Sequence, residues 1–244
     1  MSTFEPSKLT EHLLALSPQS FTSATQTPFL SHAGAGTLSK DVLQTWLGQD
    51  RLYAQAYIRF AALLLANVKL SGKVDGECFE ERLLDLILSS INNVRRELKF
   101  FEDVAQRYNL DISSTEERVS EGVELYRNLF FETGEAVEAG RLGLLEGLVL
   151  LWGTEVCYLT AWRYAASCST GLLEGKEADG GALRKEFIPN WTSSEFAAFV
   201  DEIAEFMDKL WVGEWNGDAE RLAVVEGIWK RVLDVEKKFW PAVA

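Results

Sequence analysis

The sequence predicts an all-α protein, a helical bundle folded as a single domain over residues 1–244. Two observations predict this fold class. Prolines are absent between Pro28 and Pro189, and this interval has no clustered strand signals, so one helix can follow another. Apolar residues within it recur every three to four positions, which is the period of an α-helix rather than of a strand. Hydrophobic residues make up 47% of the 244 residues, which suffices for a sizeable core.

Two long helices are predicted in the first half of the chain. The segment 40–68 carries apolar residues at helical spacing, and Ser39 is placed to cap its amino terminus. The hexapeptide SGKVDG at 71–76 interrupts this pattern. A second helix is then predicted over residues 79–104, where the helical spacing resumes.

The middle of the chain predicts two more helices. Ser114 and Glu117 form a capping-box pattern, which predicts the start of a third helix that ends near Phe131. The segment ETGEAVEAG at 132–140 is predicted to be a loop. A fourth helix is predicted over 142–168, and we expect it to lie at the centre because it is apolar almost all round.

Two further helices are predicted towards the carboxyl terminus. The stretch STGLLEGKEADGGA at 169–182 is the longest polar, glycine-rich connection in the chain. Thr192 and Glu195 form a second capping-box pattern, which predicts a helix that ends near Leu210. A last helix is predicted over 218–239, where the helical spacing returns.

The charge of the chain disfavours two classes of partner. The 24 basic and 37 acidic residues give a net charge of −13, and so acidic a surface repels nucleic acids and anionic membranes. No run of 18 uninterrupted apolar residues and no secretory signal pattern is present. We therefore expect a cytoplasmic protein that binds neither nucleic acid nor a membrane.

The cysteines and histidines do not predict a metal or cofactor. Cys78, Cys157 and Cys168 have neither paired nor metal-binding spacing. His12 and His32 are the only histidines, which are too few for a three-histidine zinc site and lie far from any acidic helix pattern. We therefore expect no metal, no haem and no other cofactor in the active site.

Three acidic residues lie in otherwise apolar helical stripes: Asp50, Glu155 and Glu236. Each has tyrosine or tryptophan neighbours within about one turn, and a buried unpaired charge is costly. Aromatic walls with convergent carboxylates suit a flat, nitrogen-rich heterocycle. The alternative at this point is that each acid is paired with an arginine, capped by a tyrosine hydroxyl or placed at the edge of its stripe.

Four segments, taken in order, resemble the TenA (thiaminase II) family. They are TPFLSHAGAGTLSKDVLQTWLGQDRLYAQAY at 27–57, LLEGLVLLWGTEVCYLTAW at 144–162, FIPNWTSSEFAAFV at 187–200 and VEKKFWPAV at 235–243. The QD-x-x-Y and E-x-x-F-W motifs at opposite ends carry most of the resemblance. It implies the haem-oxygenase-like all-α fold, a homo-oligomer (dimer or tetramer), and hydrolysis of an amino- or formylamino-pyrimidine in thiamin salvage.

The resemblance implies roles for five residues. Asp50 matches the acid that holds the ring nitrogen and amino group of the pyrimidine, and Tyr53 matches the neighbouring pocket tyrosine. Trp191 stands where the family usually has a ring-stacking tyrosine. Tyr158 matches a tyrosine one turn beyond the nucleophile. Glu236 matches the acid/base that protonates the leaving amine and then activates water.

The sequence differs from the family pattern at the position of the nucleophilic cysteine in the family's central helix. The run LLWGTE places Thr154 at that position, in the substrate-binding site, and Glu155 beside it. Cys157 lies three residues further on, and we do not expect it to substitute. We therefore predict that Glu155 and Glu236 are the catalytic pair, one protonating the leaving amine and the other activating water. The alternative is a non-catalytic pyrimidine-binding or regulatory protein on the same fold.

Overall fold

The computed structural model of the chain describes residues 8–70, 78–113, 119–169, 175–214 and 217–243. These residues form helices and connections without any strand, which confirms the all-α prediction. The α-helices of the described ranges are α1 (Leu9–Leu16), α2 (Pro18–Thr25), α3 (Pro28–Ala35), α4 (Lys40–Ala66), α5 (Phe79–Tyr108), α6 (Glu121–Glu138), α7 (Leu144–Ser167), α8 (Ile188–Trp191), α9 (Ser194–Glu214) and α10 (Ala219–Phe239). A π-helical turn, Leu183–Phe187, leads directly into α8.

The capping predictions had different outcomes. The Ser39 side chain accepts a hydrogen bond from the Val42 amide and caps α4, as predicted. The second capping box was placed one residue too early: the Ser193 hydroxyl accepts the hydrogen bond from the Phe196 amide, while Thr192 donates to the Ile188 carbonyl and ends α8. The predicted break at 71–76 and the predicted Ser114–Glu117 box lie outside the described residues.

The predicted loop at 132–140 was wrong over most of its length. Helix α6 begins after Ser120, whose side chain caps it, and continues to Glu138. Thr133, Gly134 and Val137 are buried on it. Gly134 lies where α6 packs closely against α4. A Cβ at this position would lie 2.7 Å from the Leu63 side chain, so the absence of a Cβ allows the two helices to pack.

Helix α7 lies at the centre of the bundle, as predicted. It packs against α2, α3, α6, α8, α9 and α10, and its tryptophan, leucine and alanine residues are almost all buried. By length and composition α7 could cross a membrane, but 83% of its most apolar stretch is buried inside the protein. That burial is the expected property of a core helix.

We expect Gly34→Ala to destabilise the fold, because α3 approaches α7 most closely at this residue. A Cβ at position 34 would lie 1.8 Å from the Ala165 carbonyl oxygen, and backbone cannot move aside easily. Overpacking of this kind costs about 1–3 kcal/mol of unfolding free energy, or roughly 2–4 °C of melting temperature per kcal/mol. Thermal unfolding followed by circular dichroism measures the change.

Gly227→Ala is the matched control for this experiment. Gly227 lies within α10, and a Cβ there meets no atom within 4 Å. Alanine in a helix interior is favoured over glycine by about 0.5–1 kcal/mol. The control should therefore melt at the same temperature as the wild type or slightly above it. A Gly34→Ala protein that melts with the control would contradict the close packing of α3 on α7.

Candidate active site

A cavity of about 330 Å³ lies between α4, α5, α7 and the segment from α8 to α9. Its inner end contains buried side chains such as Asp50 and Ser90. Its mouth is formed by the exposed side chains of Arg96, Asn190 and Glu195. The lining residues that carry aromatic rings are Tyr53, Tyr57, Phe100, Tyr158, Trp191, Phe196 and Phe199.

Asp50 is the innermost carboxyl of the cavity and is 2% exposed. The Tyr158 hydroxyl donates a hydrogen bond of 3.1 Å to its Oδ2 atom. Burial raises the pKa of Asp50 well above its ordinary value, and the negative charge of Glu97 raises it further. A neutral Asp50 can donate its proton to a ring nitrogen and accept a hydrogen bond from an amine beside it.

Glu155 lines the same cavity from α7 and is 8% exposed. The Tyr57 hydroxyl on α4 donates a hydrogen bond of 2.5 Å to its Oε1 atom. Burial raises the pKa of Glu155 to about 8, although the hydrogen bond from Tyr57 opposes the shift. Glu155 therefore holds a proton at neutral pH and can give it to a ligand, as a general acid must.

Glu97 is a third cavity carboxyl, which the sequence reasoning missed. It lies on α5, and the Trp191 indole N–H donates a hydrogen bond to its Oε1 atom. Burial raises the pKa of Glu97 to about 7. The surrounding sequence, RRELK, has the appearance of a solvated face, but position 97 falls three residues after buried Val94 and four before buried Phe101. That spacing is the signal that could have found it.

The three cavity acids share one hydrogen-bonding pattern. In Asp50, Glu97 and Glu155, one oxygen accepts a hydrogen bond from an aromatic residue, and within the described structure the other has no hydrogen-bond partner. No cationic side chain contributes to the pKa shifts of these acids. The alternative of capping by tyrosine hydroxyls is therefore realised for Asp50 and Glu155, but each still has one oxygen available to a ligand.

Glu236 lies outside the cavity lining and is linked to the lining residue Tyr53 through Tyr126. Tyr53 packs edge-on against Tyr126 with ring centroids 4.9 Å apart, and the Tyr126 hydroxyl donates to the Oε2 atom of Glu236. The Oε1 atom is buried and has no hydrogen-bond partner in the described structure. Burial raises the pKa of Glu236 to about 8, so this carboxyl also holds a proton at neutral pH.

Thr154 and Cys157 also lie outside the cavity lining. The Thr154 hydroxyl donates to the Leu151 carbonyl within α7 at 3.0 Å. Cys157 is fully buried, and both burial and the charge of Glu236 raise the pKa of its thiol well above the ordinary value. A thiol in these surroundings is a poor nucleophile, because the thiolate is the reactive form.

Trp191 is held in place by other aromatic rings. It stacks on Trp162 with ring centroids 4.4 Å apart and on Phe187 at 5.0 Å. Tyr158 meets it edge-on at 5.3 Å. These contacts fix the plane of the indole and therefore the direction of the N–H group that binds Glu97.

The described residues contain no group of three or more His, Cys, Asp or Glu side chains arranged to hold a metal ion.

A family model described as the TENA/THI-4/PQQC family matches residues 22–244. The chain belongs to this family. A Fusarium pseudograminearum protein named as a probable transcription factor is 29% identical over 244 aligned residues, which cover 88% of this chain and 47% of that protein. The chain thus spans about half the length of that relative. A Glycine max protein named as a probable bifunctional TENA-E protein is 20% identical, with 90% of this chain and 86% of that protein covered.

Solved structures of TenA homologues share the fold of this TENA/THI-4/PQQC family member. A homologue from Pyrococcus furiosus superposes with a TM-score of 0.76 at 22% identity, over 95% of this chain and 97% of the other. A putative TenA-like thiaminase from Sulfolobus solfataricus superposes with a TM-score of 0.66 at 15% identity, over 95% and 93%. The predicted family and its haem-oxygenase-like fold are thereby confirmed.

In this TENA/THI-4/PQQC protein, the structure brings together only part of the predicted site. The cavity contains Glu155 and four predicted binding residues, Asp50, Tyr53, Tyr158 and Trp191. Thr154 and Glu236 lie in the layer behind it, next to Tyr53, whose pKa is influenced by both of them. Of the two predicted catalytic acids, Glu155 lines the cavity and Glu236 does not.

Proposed function

We propose that this TenA-family protein hydrolyses a carbon–nitrogen bond of an amino- or formylamino-pyrimidine in thiamin salvage. The observation that carries the proposal is the set of three cavity carboxyls, each held by an aromatic donor and each with an oxygen left for a ligand. An aminopyrimidine matches these carboxyls, because its ring nitrogens accept hydrogen bonds and its amino group donates them. Family membership and the thiaminase-like and TENA-E relatives support a thiamin-related hydrolase.

The dimensions of the cavity suit this class of ligand. Pockets for small molecules usually enclose about 300–1,000 Å³, and this cavity, at about 330 Å³, lies at the small end of that range. A single substituted ring fits better than a dinucleotide or a sugar chain. Tyr158 and Phe196, whose rings meet edge-on at 6.5 Å, supply apolar surface for the ring.

The proposed reaction displaces the amine from the carbon next to the ring. Glu155 gives its proton to a neutral leaving nitrogen, that of a formylamino group or of an amine that has first released its ammonium proton to solvent. The carbon–nitrogen bond breaks, and a water oxygen forms the new bond to carbon. The proton lost by the water goes to a carboxylate in its ionised form, for which the family resemblance favours Glu236. Because burial raises the pKa of Glu236 to about 8, this form makes up about a tenth of the protein at pH 7 and becomes more abundant as the pH rises towards 8. Because Glu236 does not line the cavity, whereas its neighbour Tyr53 does, the proposal requires the Tyr53 side chain to move when the ligand binds.

A second candidate is a regulatory or binding protein without turnover. The names of two similar proteins favour it: the Fusarium relative is a probable transcription factor, and a Silicibacter protein of similar fold is called a TenA family transcription regulator. The same cavity would then bind the pyrimidine as an effector. The acidic surface of this chain, with a net charge of −13, argues against its own binding to DNA.

Turnover distinguishes the two candidates. The purified protein is incubated with 4-aminopyrimidines that carry an aminomethyl or a formylaminomethyl group, and release of ammonia or formamide is measured with the matching hydroxymethyl product. The hydrolase proposal predicts multiple turnovers without added metal. Stabilisation of the protein against heat by these compounds, without any product, would instead favour the binding protein.

We expect Asp50→Asn to raise KM about tenfold, with a smaller effect on kcat. Asp50 can share a proton with a basic ring nitrogen and form a charge-assisted hydrogen bond, whereas asparagine forms neutral bonds only, and the difference is worth about 1–1.5 kcal/mol. Steady-state kinetics measure both constants. Asp41→Asn, a change at an exposed residue of the same helix, is the control. A loss confined to kcat would contradict a binding role for Asp50.

A further inference from the structure

Glu97 is the most exposed of the three cavity acids. Asp50 is 2% exposed and Glu155 is 8% exposed, whereas Glu97 is half-buried. The residue before it, Arg96, forms part of the mouth. Its hydrogen-bond donor, Trp191, directly follows Asn190, which is also at the mouth. Glu97 also lies near enough for its charge to raise the pKa of both Asp50 and Glu155. A ligand whose ring is held at Asp50 is therefore within reach of Glu97 on the side of the mouth.

The contacts of Glu97 leave it able to bind a donor from a ligand. Its Oε1 atom accepts the hydrogen bond from the Trp191 indole, which is fixed by stacking on Trp162. Its Oε2 atom has no hydrogen-bond partner within the described structure. The neighbouring guanidinium of Arg96 is directed elsewhere, to Asn93 and to Glu195 at 3.6 Å. A positioned carboxylate oxygen without a cation is thus available at the mouth.

We propose that Glu97 is a specificity-determining residue, which selects ligands that carry an alkylamine at their outer end by accepting a hydrogen bond from the ammonium group. The inference rests on the proposed function, because it assumes that the pyrimidine ring is held at Asp50. An alkylamine resembles the lysine side chain, whose pKa is about 10.4, and is therefore a cation at neutral pH. A cation bound to a carboxylate is held more tightly than a neutral hydroxyl at the same place.

The test compares two ligands that differ in one group, 5-aminomethyl- and 5-hydroxymethyl-4-aminopyrimidine. Calorimetric titrations at pH 7.5 use the Glu155→Gln protein as the parent, so that the aminomethyl compound is not consumed. We expect the parent to bind the aminomethyl compound about tenfold more tightly than the hydroxymethyl compound. Adding Glu97→Gln should reduce this preference to about twofold or less, with little change in affinity for the hydroxymethyl compound.

The control is Glu102→Gln in the same parent. Glu102 lies on α5 with Glu97, but its side chain is 53% exposed and pairs with Lys99. This variant should keep the full preference. A glutamine at position 97 can still accept the hydrogen bond from Trp191, so the indole contact is retained.

Each of the other outcomes contradicts either the inference about Glu97 or the proposed function. A Glu97→Gln protein that keeps the preference overturns the inference and leaves the proposed function intact. A Glu97→Gln protein that loses affinity equally for both ligands shows a merely structural role and also overturns it. Failure of the parent to bind either pyrimidine contradicts the proposed function and, with it, the inference.

Discussion

Glu155→Gln is expected to lower kcat for an aminopyrimidine by about 10²–10⁴-fold and to change KM little. Glutamine has almost the shape of glutamate, and its amide oxygen can still accept the 2.5 Å hydrogen bond from Tyr57. It carries no proton that could be given to the leaving nitrogen. Steady-state rates of amine release at pH 7, with wild type and variant side by side, measure the effect.

The pH profile tests the same role independently. Because burial raises the pKa of Glu155 to about 8, the acid form predominates at neutral pH and is lost as the pH rises through about 8. The kcat/KM of the wild type should therefore fall above this pH, since the reaction needs the protonated group. If Glu155→Gln keeps both its rate and the alkaline fall, another group is the acid.

Cys157→Ser is the control on the same helix. The thiol is fully buried and its pKa is raised by that burial, so it should contribute to packing rather than to the reaction. We expect a loss of activity of less than about tenfold, explained by a small loss of stability. Complete inactivation, together with stoichiometric covalent labelling at Cys157 during turnover, would show that the thiol is the nucleophile.

Glu236→Gln is expected to lower kcat more than it changes KM, because Glu236 is proposed to take up a proton rather than to hold the ring. Its Oε1 atom is a buried polar atom without a hydrogen-bond partner, an arrangement that costs free energy and is unusual in a merely structural residue. We expect a kcat loss of about 10²-fold or more at pH 7.

The thermal stability of Glu236→Gln separates this role from an anchoring salt bridge. Burial raises the pKa of Glu236 in the folded protein from 4.5 to about 8, so the stability that the proton confers is present below pH 4.5 and is lost as the pH rises through about 8. Glutamine does not titrate. As the pH rises from 6 to 9, the melting temperature of the wild type should therefore fall relative to that of the variant. An anchoring salt bridge requires the opposite: a variant that melts lower at pH 9, with unchanged turnover per folded molecule.

Several elements of the fold could be predicted because their signals are local. Helical spacing and Ser39 predicted α4, and the apolar circumference of α7 predicted its central position. No helix was predicted before Ser39, although α1, α2 and α3 lie there. Pro18 and Pro28 stand in the first turn of α2 and α3, where proline is well tolerated. The segment that contains Gly134 was predicted to be a loop. The packing of Gly134 against Leu63, which explains the glycine, joins residues far apart in sequence and leaves no local signal.

In the candidate site, too, some features could be predicted from local sequence and others depend on contacts between distant segments. The burial of Asp50, Glu155 and Glu236 was predictable, because each stands in an apolar stripe of its own helix. The position of Glu236 outside the cavity lining was not predictable, because it depends on how α10 packs against α4 and α6. Glu97 was hidden among charged neighbours, since its burial depends on Trp191 from another helix.

A crystal structure of the Glu155→Gln protein with an unreacted aminomethyl-aminopyrimidine tests the central claim most directly. We predict that the ring lies in the cavity, with a ring nitrogen and its amino group within hydrogen-bond distance of Asp50. The carbon–nitrogen bond to be broken should lie next to the side chain at position 155, with the amine towards Glu97. A ligand bound elsewhere, or a ring whose amino group is directed away from Asp50, would contradict the proposal that this cavity is an aminopyrimidine hydrolase site.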